Sequence, residues 1–288
     1  MTGIALVDVF ALDGRGGNPC PVVSDAAGLD PAAMQEVARR HGHESGFVLP
    51  PETDAHDFAF RFFVPNHEME MCAHATLGAL WVLAREDRLP GPVVHIGTRS
   101  GSVTGFVDRA PDGTVRVAIT QPAGRVAPLT PEGEAAVLAA LGIGRDRLAD
   151  RPVHNAATAR VKTLVPMRDP AALDRLAPDP AAVEAACRGI GSTGLYPYAV
   201  ADAGTRRFEA RQFPRASGYP EDAATGIAAA ALAFGLLRDG TIAPDDRPVR
   251  IVQGRAMGRA SEIRVRLGFA GSRAIGCLLE GDVVEGVG

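Results

Sequence analysis

Hydrophobic and polar positions divide this chain into short alternating stretches and two long runs without charge. Ile4 to Phe10 alternates as a β-strand and breaks at Asp13-Gly14-Arg15-Gly16-Gly17-Asn18-Pro19, a turn-forming cluster; Pro21 to Ser24 then resumes as a strand. Asp30-Pro31 supplies an N-cap and a first-turn proline for a helix reaching about Arg40. Glu44 to Leu49 and Phe58 to Val64 read as strands. So do Val93 to Ile96, Ser102 to Val107, Thr114 to Ile119, Leu195 to Ala201 and Arg207 to Phe213.

The two uncharged runs, Ala75 to Ala84 and Ala223 to Leu237, read as helices that are apolar on every side. Such a helix has no face for water and must be enclosed, and both are too short to span a bilayer. Each is therefore expected to be a central helix wrapped by strands. The runs also begin alike: Cys72 to Ala79 can be laid over Ala223 to Ala230, each preceded by an acidic loop. This predicts an α+β protein of two pseudo-equivalent lobes, 1–122 and 123–288, with the option that the last strand crosses back to the first lobe. The joint falls near Gln121 to Thr130, before a helix capped by Thr130-Pro131-Glu132.

Composition narrows the function. At 288 residues and 46% hydrophobic content the chain can fill such cores. A net charge of -4, with the arginines scattered, gives no basic surface for nucleic acid. No stretch approaches the roughly 20 apolar residues of a membrane span, and the start of the chain has no basic leader, so a cytosolic protein is expected. Cys20, Cys72, Cys187 and Cys277 are far apart and form no C-x-x-C pair, which points to reduced thiols. Lys162 is the only lysine, leaving a Schiff-base enzyme one candidate.

Three polar stretches at the mouths of apolar elements carry the candidate chemistry. In His41-Gly42-His43-Glu44-Ser45, a carboxylate at the start of an apolar strand is a proton carrier if partly desolvated, since burial raises a carboxyl pKa toward the useful range. It is otherwise an ordinary loop glutamate. His41 and His43 offer two metal ligands if they share a strand face, but further ligands are lacking. In Pro65 to Thr76, the amides at the start of the first buried helix, exposed by Ala73 and Ala75, suit a carboxylate, with His74 facing the same place. The alternative is that His74 and Thr76 only cap that helix and Cys72 is an ordinary buried thiol. In Gly218 to Gly226, Asp222 and Thr225 can cap the second helix, while Ala224 and Gly226 leave room for a ligand. In pseudo-equivalent lobes the two helix starts are expected to converge on one cleft, with Glu44 nearby.

Along nearly its whole length the sequence resembles the PhzF-like (phenazine-biosynthesis) family of the diaminopimelate-epimerase fold. The resemblance is carried by Val7-Asp8-Val9-Phe10 with Gly17-Asn18-Pro19, Glu44-Ser45-Gly46-Phe47-Val48, Arg61-Phe62-Phe63-Val64-Pro65, and Glu68 leading to Cys72-Ala73-His74-Ala75-Thr76. It continues through Glu221-Asp222-Ala223-Ala224-Thr225-Gly226, Gln253-Gly254 and Met257-Gly258-Arg259-Ala260-Ser261. It implies an isomerase with Glu44 as general acid/base, His74 and Asp222 lining the site, and backbone around Ala73 and Thr225-Gly226 holding a small carboxylate. It also implies no metal or organic cofactor, a homodimer, and an activity like isomerisation of trans-2,3-dihydro-3-hydroxyanthranilate.

The chain departs from the family pattern at Ala73, where the family has Gly, at Ala223, where it has Pro, and at Ile227, where it has Ser. Racemases and epimerases of the fold use a cysteine at each helix start; Cys72 occupies the first position, but Ala223 stands at the second. A one-base epimerase of amino or imino acids and a non-catalytic carboxylate-binding relative are the rival readings.

Overall fold

The computed structural model describes residues 3–216 and 218–286; Met1 and Thr2, read above for a leader, lie outside them. The chain folds into two compact units, one formed by residues up to Thr120 together with those from Glu280 on, the other by Gln121 to Leu279.

The first unit contains β1 (Ile4–Ala11), β2 (Asn18–Val23), α1 (Pro31–His41), β3 (Ser45–Leu49), β4 (Phe58–Val64), β5 (His67–Met69), α2 (Ala73–Arg85), β6 (Val93–Thr98), β7 (Gly101–Arg109) and most of β8 (Val115–Pro122). Its strands pair mostly antiparallel, with parallel steps between β2 and β3 (Val22 opposite Gly46) and between β4 and β6 (Phe58 opposite Ile96). The strand β2 begins at Asn18, earlier than the turn residues around it suggested, because the asparagine pairs with Val9 of β1. As expected, Asp30 accepts a hydrogen bond from the Ala33 amide and opens α1.

Helix α2 packs against β1, β2, β3 and β7, and every residue from Ala73 to Ala84 is buried except Trp81. That enclosure is what its all-round apolar surface required. The other face of the sheet is covered by α1, where Met34 and Ala38 meet Val23, Phe47 and Phe63. With both faces covered, β3 is a continuous buried run with no alternation.

The second unit contains β9 (Arg125–Pro128), α3 (Pro131–Leu141), β10 (His154–Ala157), β11 (Val161–Pro166), α4 (Pro170–Asp174), α5 (Pro180–Gly189), β12 (Gly194–Asp202), β13 (Arg207–Ala210) and β14 (Phe213–Pro214). It continues with α6 (Gly226–Arg238), β15 (Val249–Gln253), β16 (Ser261–Ala270) and most of β17 (Arg273–Glu285). Here α6 is the enclosed helix, packed against β9, β10, β11 and β16, while α3, α4 and α5 close a separate core around Leu141, Leu173, Val183 and Leu195.

Both enclosed helices are 13 residues long. The second begins at Gly226, later than the uncharged run from Ala223, because Ala223 and Ala224 belong to the buried segment leading into it. The strand read over Arg207 to Phe213 is broken into β13 and β14 by Arg211 and Gln212, whose side chains are buried. Among the described residues, no helix is long and apolar enough to cross a membrane.

Candidate active site

Glu44 is positioned by backbone geometry on both sides of it. Helix α1 ends in the basic residues Arg39, Arg40 and His41 and is closed by Gly42 in the left-handed conformation, with φ 71°. Three residues later the chain enters β3, whose Gly46 lies so near α2 that a Cβ there would be 3.2 Å from the Ala75 carbonyl oxygen. A side chain at Gly46 would require the Ala75 backbone to give way by a few tenths of an ångström. The glycine thus brings Glu44 beside the first turn of the buried helix.

At that turn Cys72 is the N-cap and His74 the second helical residue. The Glu44 carboxylate oxygen Oε2 is 3.1 Å from His74 Nδ1 and 3.5 Å from Cys72 Sγ, and Sγ is 3.2 Å from Nδ1. His74 is 5% exposed and the Glu44 side chain 23%. Glu44 is accordingly a half-buried carboxylate packed on two buried polar atoms, and not a free loop residue. Burial, followed by the charge of Glu44, pushes the Cys72 thiol well above its ordinary pKa. The thiol therefore keeps its proton and donates a hydrogen bond to Glu44 Oε2.

The capping alternative for this stretch does not hold. Thr76 Oγ1 donates back to the Cys72 carbonyl at 2.7 Å, and the His74 ring turns to Glu44, so neither side chain caps the helix. The pairing of His41 with His43 on a strand face is also corrected. His41 is the last residue of α1 and His43 lies in the turn after it, so strand alternation never applies to them. The segment before α2 is held by Glu68, which takes two hydrogen bonds from Arg61, at 2.7 and 2.8 Å, and lies 3.0 Å from Arg99.

In the second unit Asp222, Thr225 and Gly226 stand at the start of α6. Thr225 is the N-cap but makes no side-chain bond to the helix; its hydroxyl donates to the Asp222 carboxylate. The capping role expected for Thr225 is thus replaced by a link to Asp222. The organising residue is Gln253, fully buried at the end of β15. Its Nε2 donates to the Asp222 carbonyl at 2.7 Å and the Thr225 hydroxyl at 3.1 Å. Its Oε1 accepts from the Tyr196 hydroxyl at 2.9 Å and the Thr225 amide at 3.3 Å.

Next to it, Ser261 Oγ donates to the carbonyls of Ala223 and Gln253. Gly254, at φ 78°, leaves no room for a side chain, since a Cβ would be 2.7 Å from the Ala223 carbonyl oxygen. Burial, and after it the Asp222 carboxylate, raises the Tyr196 phenol, so it stays a neutral donor.

Sequence reasoning gave no role to Gln253, Tyr196 or the buried pair of Arg211 with Glu221. That pair has hydrogen bonds of 2.8 and 2.6 Å, while Arg211 Nη1 donates to the carbonyls of Leu173, Asp174 and Leu176. The available signal was an amide or guanidinium ending a β-rich apolar run, as in Val249-Arg250-Ile251-Val252-Gln253.

Two units, each a largely antiparallel sheet enclosing a small-residue helix with a polar start, make this an α+β protein of the diaminopimelate-epimerase-like fold. In solved structures the same arrangement is seen in a PhzF-family phenazine biosynthesis protein from Bacillus anthracis, with a TM-score of 0.87 at 22% identity over 98% of this chain and 95% of that one. Residues 7–284 match the family described as phenazine biosynthesis-like protein, and the chain belongs to that family of isomerases.

Among its relatives, an Escherichia coli O157:H7 protein named uncharacterized isomerase YddE is 32% identical, covering 90% of this chain and 88% of its own. The trans-2,3-dihydro-3-hydroxyanthranilate isomerase of Pseudomonas fluorescens is 33% identical, covering 91% of this chain and 88% of its own.

Proposed function

We propose that this isomerase moves a proton within a small carboxylate substrate resembling trans-2,3-dihydro-3-hydroxyanthranilate, with Glu44 as the single acid/base and no cofactor. The observation that carries the reading is the Glu44 carboxylate, partly open to solvent, with His74 Nδ1 3.1 Å from one oxygen. The carboxylate takes a proton from an activated carbon, and the C–H electron pair moves into the conjugated system. The double bond shifts, and the protonated Glu44 returns the proton to a second carbon. His74 orients the carboxylate throughout. Ala73 and His74 in the first unit, and Asp222, Thr225 and Gly226 in the second, have the task of holding the substrate. The substrate class comes from the named relatives, and assembly as a homodimer belongs to the same proposal.

The test is turnover of trans-2,3-dihydro-3-hydroxyanthranilate followed by NMR, with wild type and Glu44→Gln compared. The glutamine keeps shape and hydrogen-bonding capacity but carries no transferable proton. Turnover should fall at least about a hundredfold, or about 2.7 kcal/mol of barrier, with little change in affinity for a substrate analogue. Substrate deuterated at the reacting carbon should keep part of its label in the product. Full activity of Glu44→Gln, especially alongside an inactive Asp222→Asn, would overturn the assignment.

A further inference from the structure

We infer that Glu44, Cys72 and His74 also form a binding site for a soft divalent cation, with Zn2+ as the ion it fits, and that occupancy inhibits the enzyme. Among the described residues this is the one cluster in which histidine, cysteine and carboxylate ligand atoms all lie within 4.8 Å of one another. Tetrahedral zinc with one sulfur, one nitrogen and one oxygen ligand, at bond lengths of about 2.3, 2.05 and 2.1 Å, sets the ligand atoms about 3.4–3.6 Å apart. The three separations here are 3.1, 3.2 and 3.5 Å. An ion therefore fits by spreading the triangle a few tenths of an ångström.

The donor set decides which ion. A thiolate and an imidazole favour zinc over magnesium or calcium, which take oxygen ligands. The charges of Glu44 and a Cys72 thiolate balance Zn2+, and the thiol proton leaves to bulk water as the Zn–S bond forms. Cys72 lies at the amino end of α2, whose amides favour a negative sulfur. Three protein ligands leave the fourth tetrahedral position to a water or another small ligand. The effect has the opposite sign from that of a cofactor: a metal bonded to Glu44 removes the carboxylate from proton transfer, so a chelator protects activity and never abolishes it. Inhibition rests on the acid/base role proposed above; binding does not.

Isothermal titration of the chelator-treated protein with zinc chloride, and with magnesium chloride as control, tests the binding. One zinc ion per chain is expected. Its affinity should fall at least tenfold in Cys72→Ser, His74→Gln and Glu44→Gln, and magnesium should give no heat above dilution. With Co2+ as the probe, a near-ultraviolet thiolate-to-metal band should appear in wild type and vanish in Cys72→Ser. Circular dichroism confirms that each variant is folded, and Glu44→Gln, altering the most exposed of the three, is the variant least able to disturb packing.

Equal zinc affinity in folded wild type and Cys72→Ser, or a cobalt complex without the thiolate band, would refute the site. Activity of metal-free wild type that falls with added zinc and returns with EDTA supports inhibition. Activity that needs zinc would overturn it. If zinc binds as described while Glu44→Gln turns over normally, the site stands and the acid/base assignment fails.

Discussion

The start of α6 depends on one side chain, and Gln253→Leu measures how much. The leucine is slightly larger than the glutamine, so the substitution adds no cavity and removes the hydrogen bonds. Four are removed: those to the Asp222 carbonyl and Thr225 hydroxyl, and those from the Tyr196 hydroxyl and Thr225 amide. At about 1 kcal/mol net for each, the substitution should cost roughly 4 kcal/mol. Thr225 is half-buried and water can replace part of its share, whereas Tyr196 is fully buried and its hydroxyl would be stranded.

Tyr196→Phe removes only one of the four bonds and leaves Oε1 with the Thr225 amide, so about 1 kcal/mol is expected. In the double variant the tyrosine contribution should not be counted twice, giving a coupling of about 1 kcal/mol. Urea unfolding reads these values, followed by far-ultraviolet circular dichroism and the near-ultraviolet tyrosine signal. All three tyrosines, Tyr196, Tyr198 and Tyr219, lie in the second unit, and the single tryptophan, Trp81, reports the first. A Gln253→Leu cost below about 1 kcal/mol, or a Tyr196→Phe cost equal to it, would refute the view that Gln253 is the hub.

Cys72→Ser should lower turnover less than tenfold, because the carried proton belongs to Glu44 and a hydroxyl can still donate to it; steady-state kinetics showing a loss of about a thousandfold, roughly 4 kcal/mol, would mean that the thiol carries the proton. Burial raises the thiols of Cys187 and Cys277 from 9.0 to about 11 and about 12, so the folded chain retains protons that the unfolded chain releases above pH 9. Their contribution to stability is therefore complete below about pH 9 and is lost as pH rises toward 11 and 12. Differential scanning calorimetry should show Tm declining across that interval, and a level or rising Tm would contradict it. All four cysteines are buried, so a disulfide reagent should label them in urea far faster than in the native protein.

How much of this was legible in the sequence differs from element to element. Elements whose causes are local could be read. Asp30-Pro31 set the start of α1 and Thr130-Pro131 that of α3, because an N-cap oxygen and a proline at the first position act within one turn. Asp169-Pro170 and Asp179-Pro180 carry the same signal for α4 and α5, although those helices were not read. The absence of charge over Ala75 to Ala84 required burial wherever the segment went, and the family motifs singled out Glu44, His74 and Asp222 by position.

Tertiary structure alone decided what those residues touch. Glu44 and His74 are thirty positions apart in sequence, and they meet because Gly46 lets β3 lie against the first turn of α2. That His41 and His43 do not share a strand face follows from where α1 ends, at Gly42, with Met34 and Ala38 of the helix packed in the core. Gln253 could not be recognised as the hub of the α6 start. Tyr196 is brought near it by the pairing of β12 with β13 and of β13 with β15, and Asp222 and Thr225 by the placement of the α6 start, contacts that no local pattern encodes. Local propensity and hydrophobicity act over a few residues and fix what each segment is. Hydrogen-bond partners and proton-sharing distances depend on ångström-level packing between distant segments, and only the folded chain determines them.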